Sequence, residues 1–261
     1  MCIRDSHYAY QIHQAIVCGS PVSRDNPIYR NFVSLGIIHL LIASGAHLQF
    51  IKKGLSPVLF FKQTYNKLLL NIVTGAYVLV TGLNPPLVRA YLNQIIKQTT
   101  TKLYWRPTVC VLVSAALSLL LKPSLWGSYS LMLSWSVCSL LTVNCSALKR
   151  CTLIYFGTLP FIMQFQWVHP ISIFANLFLA PLFALIYFPI SFLSLFSSAA
   201  EQFSWSLWET TSNFLTTFTM QLETQYTILS FSKFSLWIYC FSIQAAVMVC
   251  NQKKLRRLYF K

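Results

Sequence analysis

The chain has 261 residues, of which 56% are hydrophobic and only 10% charged, where soluble domains average about 25% charged; mean hydropathy is +0.57. Its 20 Lys and Arg face five acids (Asp5, Asp25, Glu201, Glu209 and Glu223), for a net charge of +15. This composition excludes an ordinary soluble domain. Cationic loops held in the cytoplasm account for the charge under the positive-inside rule; an anionic cargo such as nucleic acid is the sharper explanation.

Residues 1–6, "MCIRDS", resemble a translated sequencing-library adapter, so Met1 is not expected to be a natural start. Residues 7–34 are polar and predict an opening segment of short helices, with a helix start near Asn26-Pro27. Residues 35–51 are expected to form the first apolar helix, within a run uncharged from Asn31 to Ile51. Residues 52–67 are basic and partly apolar, an interfacial stretch, and residues 68–83 form a second apolar segment. Pro85 and Pro86 stop that helix, and a short amphipathic helix is expected from Leu87 to Lys97.

Further spans are expected at 107–121 and 124–143, broken by Lys122-Pro123, then at 151–167 and 171–198, separated by His169-Pro170. Pro181 and Pro189 predict that the last of these is kinked or split. Residues 199–225 hold Glu201, Glu209 and Glu223 and read as a polar, periplasmic loop. A last span at 226–250 ends in the basic tail 251–261, which predicts a cytoplasmic C-terminus. The earlier loops are basic on both sides, which helices that do not cross fully would explain. The expected fold class is all-α: a polytopic helical membrane domain over 35–250, with about seven transmembrane or half-spanning helices plus short amphipathic ones.

The chemistry must come from the few polar points in the apolar runs. His39, Ser44 and His47 lie in the first run, and burying an unpartnered polar group costs roughly 1–3 kcal/mol. His39 and His47 are about 12 Å apart along a continuous helix and cannot share a metal ion. The eight cysteines contain no Cys-x-x-Cys pair, and neither a disulfide framework nor a zinc site is expected. No cofactor is expected either. The dipeptide Gly-Lys never occurs, so no phosphate-binding loop is present and any energy-consuming step must come from elsewhere.

Ser44 and His47 stand three residues apart on one helical face and can hydrogen bond. "ASGAH" is similar to the serine turn of intramembrane rhomboid proteases, but a dyad of that kind needs a histidine from another helix, for which His169 is the candidate. The bland reading is helix packing, with Ser44 and Gly45 letting helices approach closely. The remaining reading is a polar lining for a transport path, which ionisable groups inside a membrane mark by default. Arg89 either snorkels to the headgroups or faces a cavity beside the break at Pro85-Pro86. Asn176 either lines the path or satisfies carbonyls freed by Pro181.

The stretch "AIVCGSPVSRDNPIYRNFVSLGIIHLLIASGAH" resembles the opening of the membrane domain in ComEC-type competence proteins, through Gly36, His39, Leu40, Leu41, Ser44, Gly45 and His47, with Ile42 where that family usually has alanine. "TGLNPPLVRA" is similar to the next block through Thr81, Gly82, Arg89 and Ala90. "KPSLWGSYSLMLSW" follows through Pro123, Leu131, Leu133 and Ser134, with Ser130, Met132 and Trp135 replacing the usual glycine, glutamine and phenylalanine. "TLPFIMQFQWVHPISIFANLFLAPL" matches through Pro160, Asn176, Leu177 and Pro181.

The resemblance implies a non-enzymatic, multi-pass channel in the bacterial inner membrane that passes single-stranded DNA to the cytoplasm during natural transformation. It implies membrane lipid, a DNA receptor and a separate ATPase motor as partners, and is compatible with a homo-oligomer. Complete family members often add a β-rich domain and a metallo-β-lactamase-like domain. Neither pattern is present, so the expectation is a fragment or a shorter member. The expected DNA path is His39, Ser44, Gly45, His47, Arg89 and Asn176, with helix breaks at Pro85, Pro86 and Pro181. The alternatives are a small-solute permease and an intramembrane serine protease.

Overall fold

A computed structural model describes residues 8–20, 22–23, 25–41, 44–55, 63–99, 107–164, 170–220 and 230–259. Residues 1–6 and His169 lie outside the described residues. The described residues form helices and turns with no strand, and the chain divides into two compact units.

Unit 1 comprises residues 1–84 and 166–227. Its helices are α1 (Tyr8–Cys18), α2 (Pro27–Ser34), α3 (Gly45–Leu55), α4 (Gln63–Val80), α9 (Ser172–Leu182), α10 (Phe188–Leu193) and α11 (Ser198–Met220). Asn26 caps α2: its side-chain oxygen accepts from the Ile28 and Tyr29 N–H groups at 2.9 and 3.4 Å, with Pro27 at the first helical position.

The expected single helix over 35–51 is not what forms. Helix α2 closes in a Schellman turn: Ile37 N–H donates to the Phe32 carbonyl and Gly36 N–H to the Val33 carbonyl, both at 2.9 Å, with Gly36 at φ +66°. A single 3₁₀ turn follows at Ile38–Leu40, and the chain turns again before α3. Hydropathy is uniform across this run, but glycine at positive φ ends a helix whatever its neighbours' polarity. Helix α4 ends the same way at Gly82 (φ +73°), ahead of Pro85-Pro86, and α1 ends at Gly19 (φ +72°).

The span expected at 171–198 is split as its prolines predict. Between α9, which contains Pro181, and α10, which starts at Phe188-Pro189, residues Phe183–Tyr187 widen into a π-helical turn. The polar loop expected at 199–225 is instead the 23-residue helix α11. No glycine or proline interrupts residues 198–220, and Ser204, Trp208 and Leu215 are buried while Glu209 and Phe214 are exposed. Trp208 completes an aromatic core with Phe32, Phe183 and Tyr187; Phe183 and Tyr187 stack at 4.3 Å and Tyr187 meets Trp208 at 4.7 Å.

Unit 2 comprises residues 85–165 and 228–261. It contains α5 (Pro85–Thr99), α6 (Pro107–Leu121), a 3₁₀ turn at Pro123–Gly127, α7 (Tyr129–Leu141), α8 (Ala147–Ile162) and α12 (Lys233–Tyr259). Helices α5 and α6 match the expected elements closely, whereas α12 starts at Lys233 rather than at 226 and continues as helix to Tyr259, through most of the expected tail 251–261. Ser114, Ala115 and Ser118 form a buried, small-residue face on α6, each hydroxyl bonded back to its own helix at 2.9 and 2.8 Å. Val111, Leu131, Trp135, Phe161 and Trp237 fill the core.

Two helices are long and apolar enough to cross a membrane: Ser172–Leu193 in unit 1 (hydropathy 2.1) and Lys233–Asn251 in unit 2 (hydropathy 1.5). Tyr65–Val80, Pro107–Leu121 and Tyr129–Leu141 are apolar but shorter. The expected polytopic domain of about seven transmembrane or half-spanning helices therefore has two helices of spanning length and hydropathy among the described residues.

Candidate functional site

The polar points fall into two separate centres, one in each unit. In unit 1, Ser44 precedes the first turn of α3, and its side-chain oxygen accepts from the Ala46 N–H at 3.3 Å. His47 reciprocates: its Nδ1 accepts from the Ser44 N–H at 3.0 Å. This is a capping box in which histidine stands where glutamate usually does. Gly45 opens the helix. The His47 ring is wholly buried and tilted against Phe188 of α10 at 4.2 Å.

This geometry does not support a Ser44–His47 dyad; His169, the partner that the protease reading requires, lies outside the described residues. Ser44 Oγ lies 3.4 Å from His47 Nδ1, but the Ser44 backbone N–H already occupies the lone pair that would take the hydroxyl proton. His47 Nε2 is buried with no hydrogen-bond partner among the described residues. His39 belongs to the 3₁₀ turn Ile38–Leu40.

Asn176 donates to the Ser172 carbonyl one turn back at 2.8 Å. The carbonyl that Pro181 leaves without a helical donor is that of Leu177, so Asn176 does not satisfy the break as one sequence reading had it. Gly19 and the "TGLN" turn meet directly: Asn84 Nδ2 donates to the Gly19 carbonyl at 3.4 Å, and a Cβ on Gly19 would lie 3.1 Å from Thr81 Cβ. Two of the resembling blocks thus touch through a glycine.

Unit 2 holds Arg89 on α5, only 2% exposed. It does not snorkel. Its Nε donates to Ser134 Oγ at 3.1 Å and its Nη2 to Cys138 Sγ at 2.8 Å, both on α7, while Nη1 is buried with no partner among the described residues. All five acids fall in residues assigned to unit 1, so unit 2 contains no carboxylate to neutralise this guanidinium.

Sequence reasoning passed over two residues. Gln244, in the last apolar run, joins three helices: its Oε1 accepts from Trp135 Nε1 at 3.1 Å and from Ser139 Oγ, and its Nε2 donates to the Thr108 carbonyl at 3.0 Å. An amide in the middle of the apolar run between Lys233 and Lys253 was the available signal. His13 of α1 donates from Nε2 to the Ser191 carbonyl at 3.1 Å and sits against the Ser194 hydroxyl. No group of three or more His, Cys, Asp or Glu able to hold a metal occurs among the described residues.

A helical chain with breaks at glycine and proline and a buried, unneutralised cation is the setting in which relatives become informative. A family profile described as Competence protein matches residues 16–256, and the chain belongs to the competence protein family. It is 26% identical over 195 residues to ComE operon protein 3 of Bacillus subtilis, covering 68% of this chain and 25% of that protein. It is 25% identical over 179 residues to the uncharacterized protein MG316 homolog of Mycoplasma pneumoniae, covering 65% of this chain and 48% of that one. The chain therefore spans a quarter to about half the length of these relatives. No solved structure matches it.

Proposed function

We propose that the chain is part of a multi-pass, non-enzymatic channel in the bacterial inner membrane that passes single-stranded DNA inward during competence. Family membership supports the competence role, and the two long apolar helices support membrane insertion, the shorter apolar helices completing or half-completing further crossings. Exposed apolar side chains such as Leu120, Phe178, Leu185 and Phe196, each at least 70% exposed, suit contact with acyl chains.

Arg89 carries the proposal. A buried guanidinium without a carboxylate is costly unless an anion completes it, and an unmet Nη1 donor suits a phosphate oxygen. Ser134 and Cys138 hold the guanidinium while that donor is spent on cargo. In unit 1, Ser44, Gly45 and His47 set the start of α3, and Pro181 and the π turn set the bend ahead of α10; their part is to shape the protein beside the strand, with His39 and Asn176 on the same segments. In this reading a separate ATPase motor and a DNA receptor supply drive and capture.

The test places Arg89→Ala and Arg89→Lys at this position in a transformable full-length family member and measures entry of labelled DNA at matched protein levels. Loss of entry with alanine and partial recovery with lysine are expected. Normal entry with alanine removes Arg89 from the path. If labelled DNA entry is unaffected but uptake of a small organic anion falls, the permease reading replaces this one.

A further inference from the structure

Unit 2 brings together charges that the sequence scatters. Trp237, near the start of α12, donates from Nε1 to the Trp126 carbonyl at 2.8 Å, while Asn251, fourteen residues on, donates to Thr142 Oγ1 at 3.5 Å. Helices α7 and α12 therefore run parallel. Helix α8 runs against them: Gln164 bonds the Phe231 carbonyl at 3.1 Å, and Tyr239 bonds the Phe156 carbonyl at 3.0 Å. One end of the unit thus joins the turn at Lys122–Ser128 to Lys233. The other joins the α7–α8 connection, with exposed Lys149 and half-buried Arg150, to the late turns of α12.

Charge is divided unequally between these ends. The Trp126 end has Lys122 and Lys233. The opposite end has Lys149 and Arg150, and α12 there carries Lys253, Lys254, Arg256 and Arg257 in its sequence. Lys233 and Lys253 are separated by about 30 Å of helix, the thickness of a bilayer's hydrocarbon core. Between the ends the outer wall is apolar, with Phe156, Ile238 and Val249 each 50% or more exposed. At the Trp126 end, the Trp126 and Trp237 rings lie 4.6 Å apart and Lys233 Nζ stands 5.9 Å over the Tyr129 ring, an aromatic and lysine rim of the kind found at headgroup level.

We propose that the end bearing Lys149, Arg150 and the last turns of α12 is a docking surface for anionic phospholipid headgroups of the cytoplasmic leaflet, with the Trp126 end on the other side of the membrane. The inference rests on the membrane reading above. Lipid suits this end better than nucleic acid does: basic residues that follow directly in the chain from an apolar helix wall match headgroup beside acyl chain, and a single strand has no acyl layer to offer that wall.

The experiment reconstitutes the full chain in phosphatidylcholine vesicles with and without phosphatidylglycerol and follows thermal unfolding. A variant with Lys149, Arg150, Lys253, Lys254, Arg256 and Arg257 all changed to glutamine is compared with a control changed only at Lys122 and Lys233. Phosphatidylglycerol is expected to raise the melting temperature by several degrees for the native chain and the control, and not for the six-site variant. In cells, reporters inserted at Asn144 and after Lys261 are expected in the cytoplasm, and one at Gly127 outside it. A rise that survives the six changes overturns the proposal, as does oligothymidylate displacing the lipid effect or a reporter at Asn144 found outside. A chain that leaves the membrane fraction on alkaline washing overturns the membrane reading as well; one that stays but ignores lipid charge overturns only this inference.

Discussion

The two units solve the same problem, packing an apolar chain, in different ways. Unit 1 is built from interrupted helices: Gly19, Gly36 and Gly82 at positive φ end three of them, a π turn divides a fourth, and all five acids lie in its residues. Unit 2 is built around buried polar groups, carries Pro160 inside α8, and holds Arg89 with no acid in its own residues. In unit 1 the polar side chains Asn26, Ser44 and His47 are spent on backbone groups that the interruptions expose. In unit 2, Tyr239 covers the Phe156 carbonyl that Pro160 leaves without a helical donor, while Arg89 and Gln244 tie one helix to another. Interruption therefore consumes polarity, and the polar groups it leaves tie helices together.

Breaking each core separately gives the largest effect. Trp208→Ala removes the centre of the unit 1 aromatic cluster and is expected to destabilise by about 3–5 kcal/mol, read by chemical denaturation in detergent. Gln244→Ala in unit 2 strands the Trp135 Nε1 donor at about 1–3 kcal/mol, with Gln244→Glu retaining the acceptor and recovering part of the loss. An equal loss in both variants would erase the contrast between an aromatic and a polar core.

Gly19→Ala forces a side chain into a left-handed conformation against Thr81, and a loss of about 1–2 kcal/mol is expected. An equivalent change at Gly54, which has open space and no positive φ, is expected to cost nothing measurable. Ser44→Ala removes the α3 cap for about 1 kcal/mol, and Ser44→Asp is expected to restore it, as followed by thermal melting.

The smallest effect is a pH dependence confined to unit 1. Burial pushes the His13 imidazole below its ordinary value of 6.5, a shift only partly opposed by the Ser191 carbonyl and by Glu201. The unfolded chain therefore takes up a proton first, and stability is expected to fall as pH drops through about 6.5. His13→Gln, which keeps a donor to the Ser191 carbonyl, is expected to flatten that fall. A melting curve whose pH dependence is unchanged by this substitution would move the effect elsewhere.

Much of unit 2 was legible, because an unbroken apolar run bounded by Pro107, Lys122-Pro123 or Lys233 has few ways to fold. The bend ahead of α10 was legible for the same reason: Pro181 and Pro189 act locally. The 35–51 segment was misread because hydropathy hides a glycine's φ, and Gly36 acts through φ. Helix α11 was misread because its polar composition masks one buried face, whose value depends on Phe32, Phe183 and Tyr187, all more than twenty residues away in sequence from Trp208. The site was legible as a set of residue types. Arg89 was singled out, but its partners on α7 were not, and Gln244 was absorbed into a span.

By itself the amino-acid sequence determined that this is a helical, cation-rich chain with a few polar interruptions and, through four ordered blocks, its family; composition and local breakers act at short range and need no fold to be read. Only the tertiary structure decided which interruptions cap helices and which tie helices together, that Arg89 turns inward without an acid, and that the basic residues of α8 and α12 share one end of a unit. Those outcomes depend on contacts between residues far apart in the chain, such as the 136 positions across which Gln244 reaches Thr108 and the 178 across which His13 reaches Ser191, and no local pattern encodes such a contact.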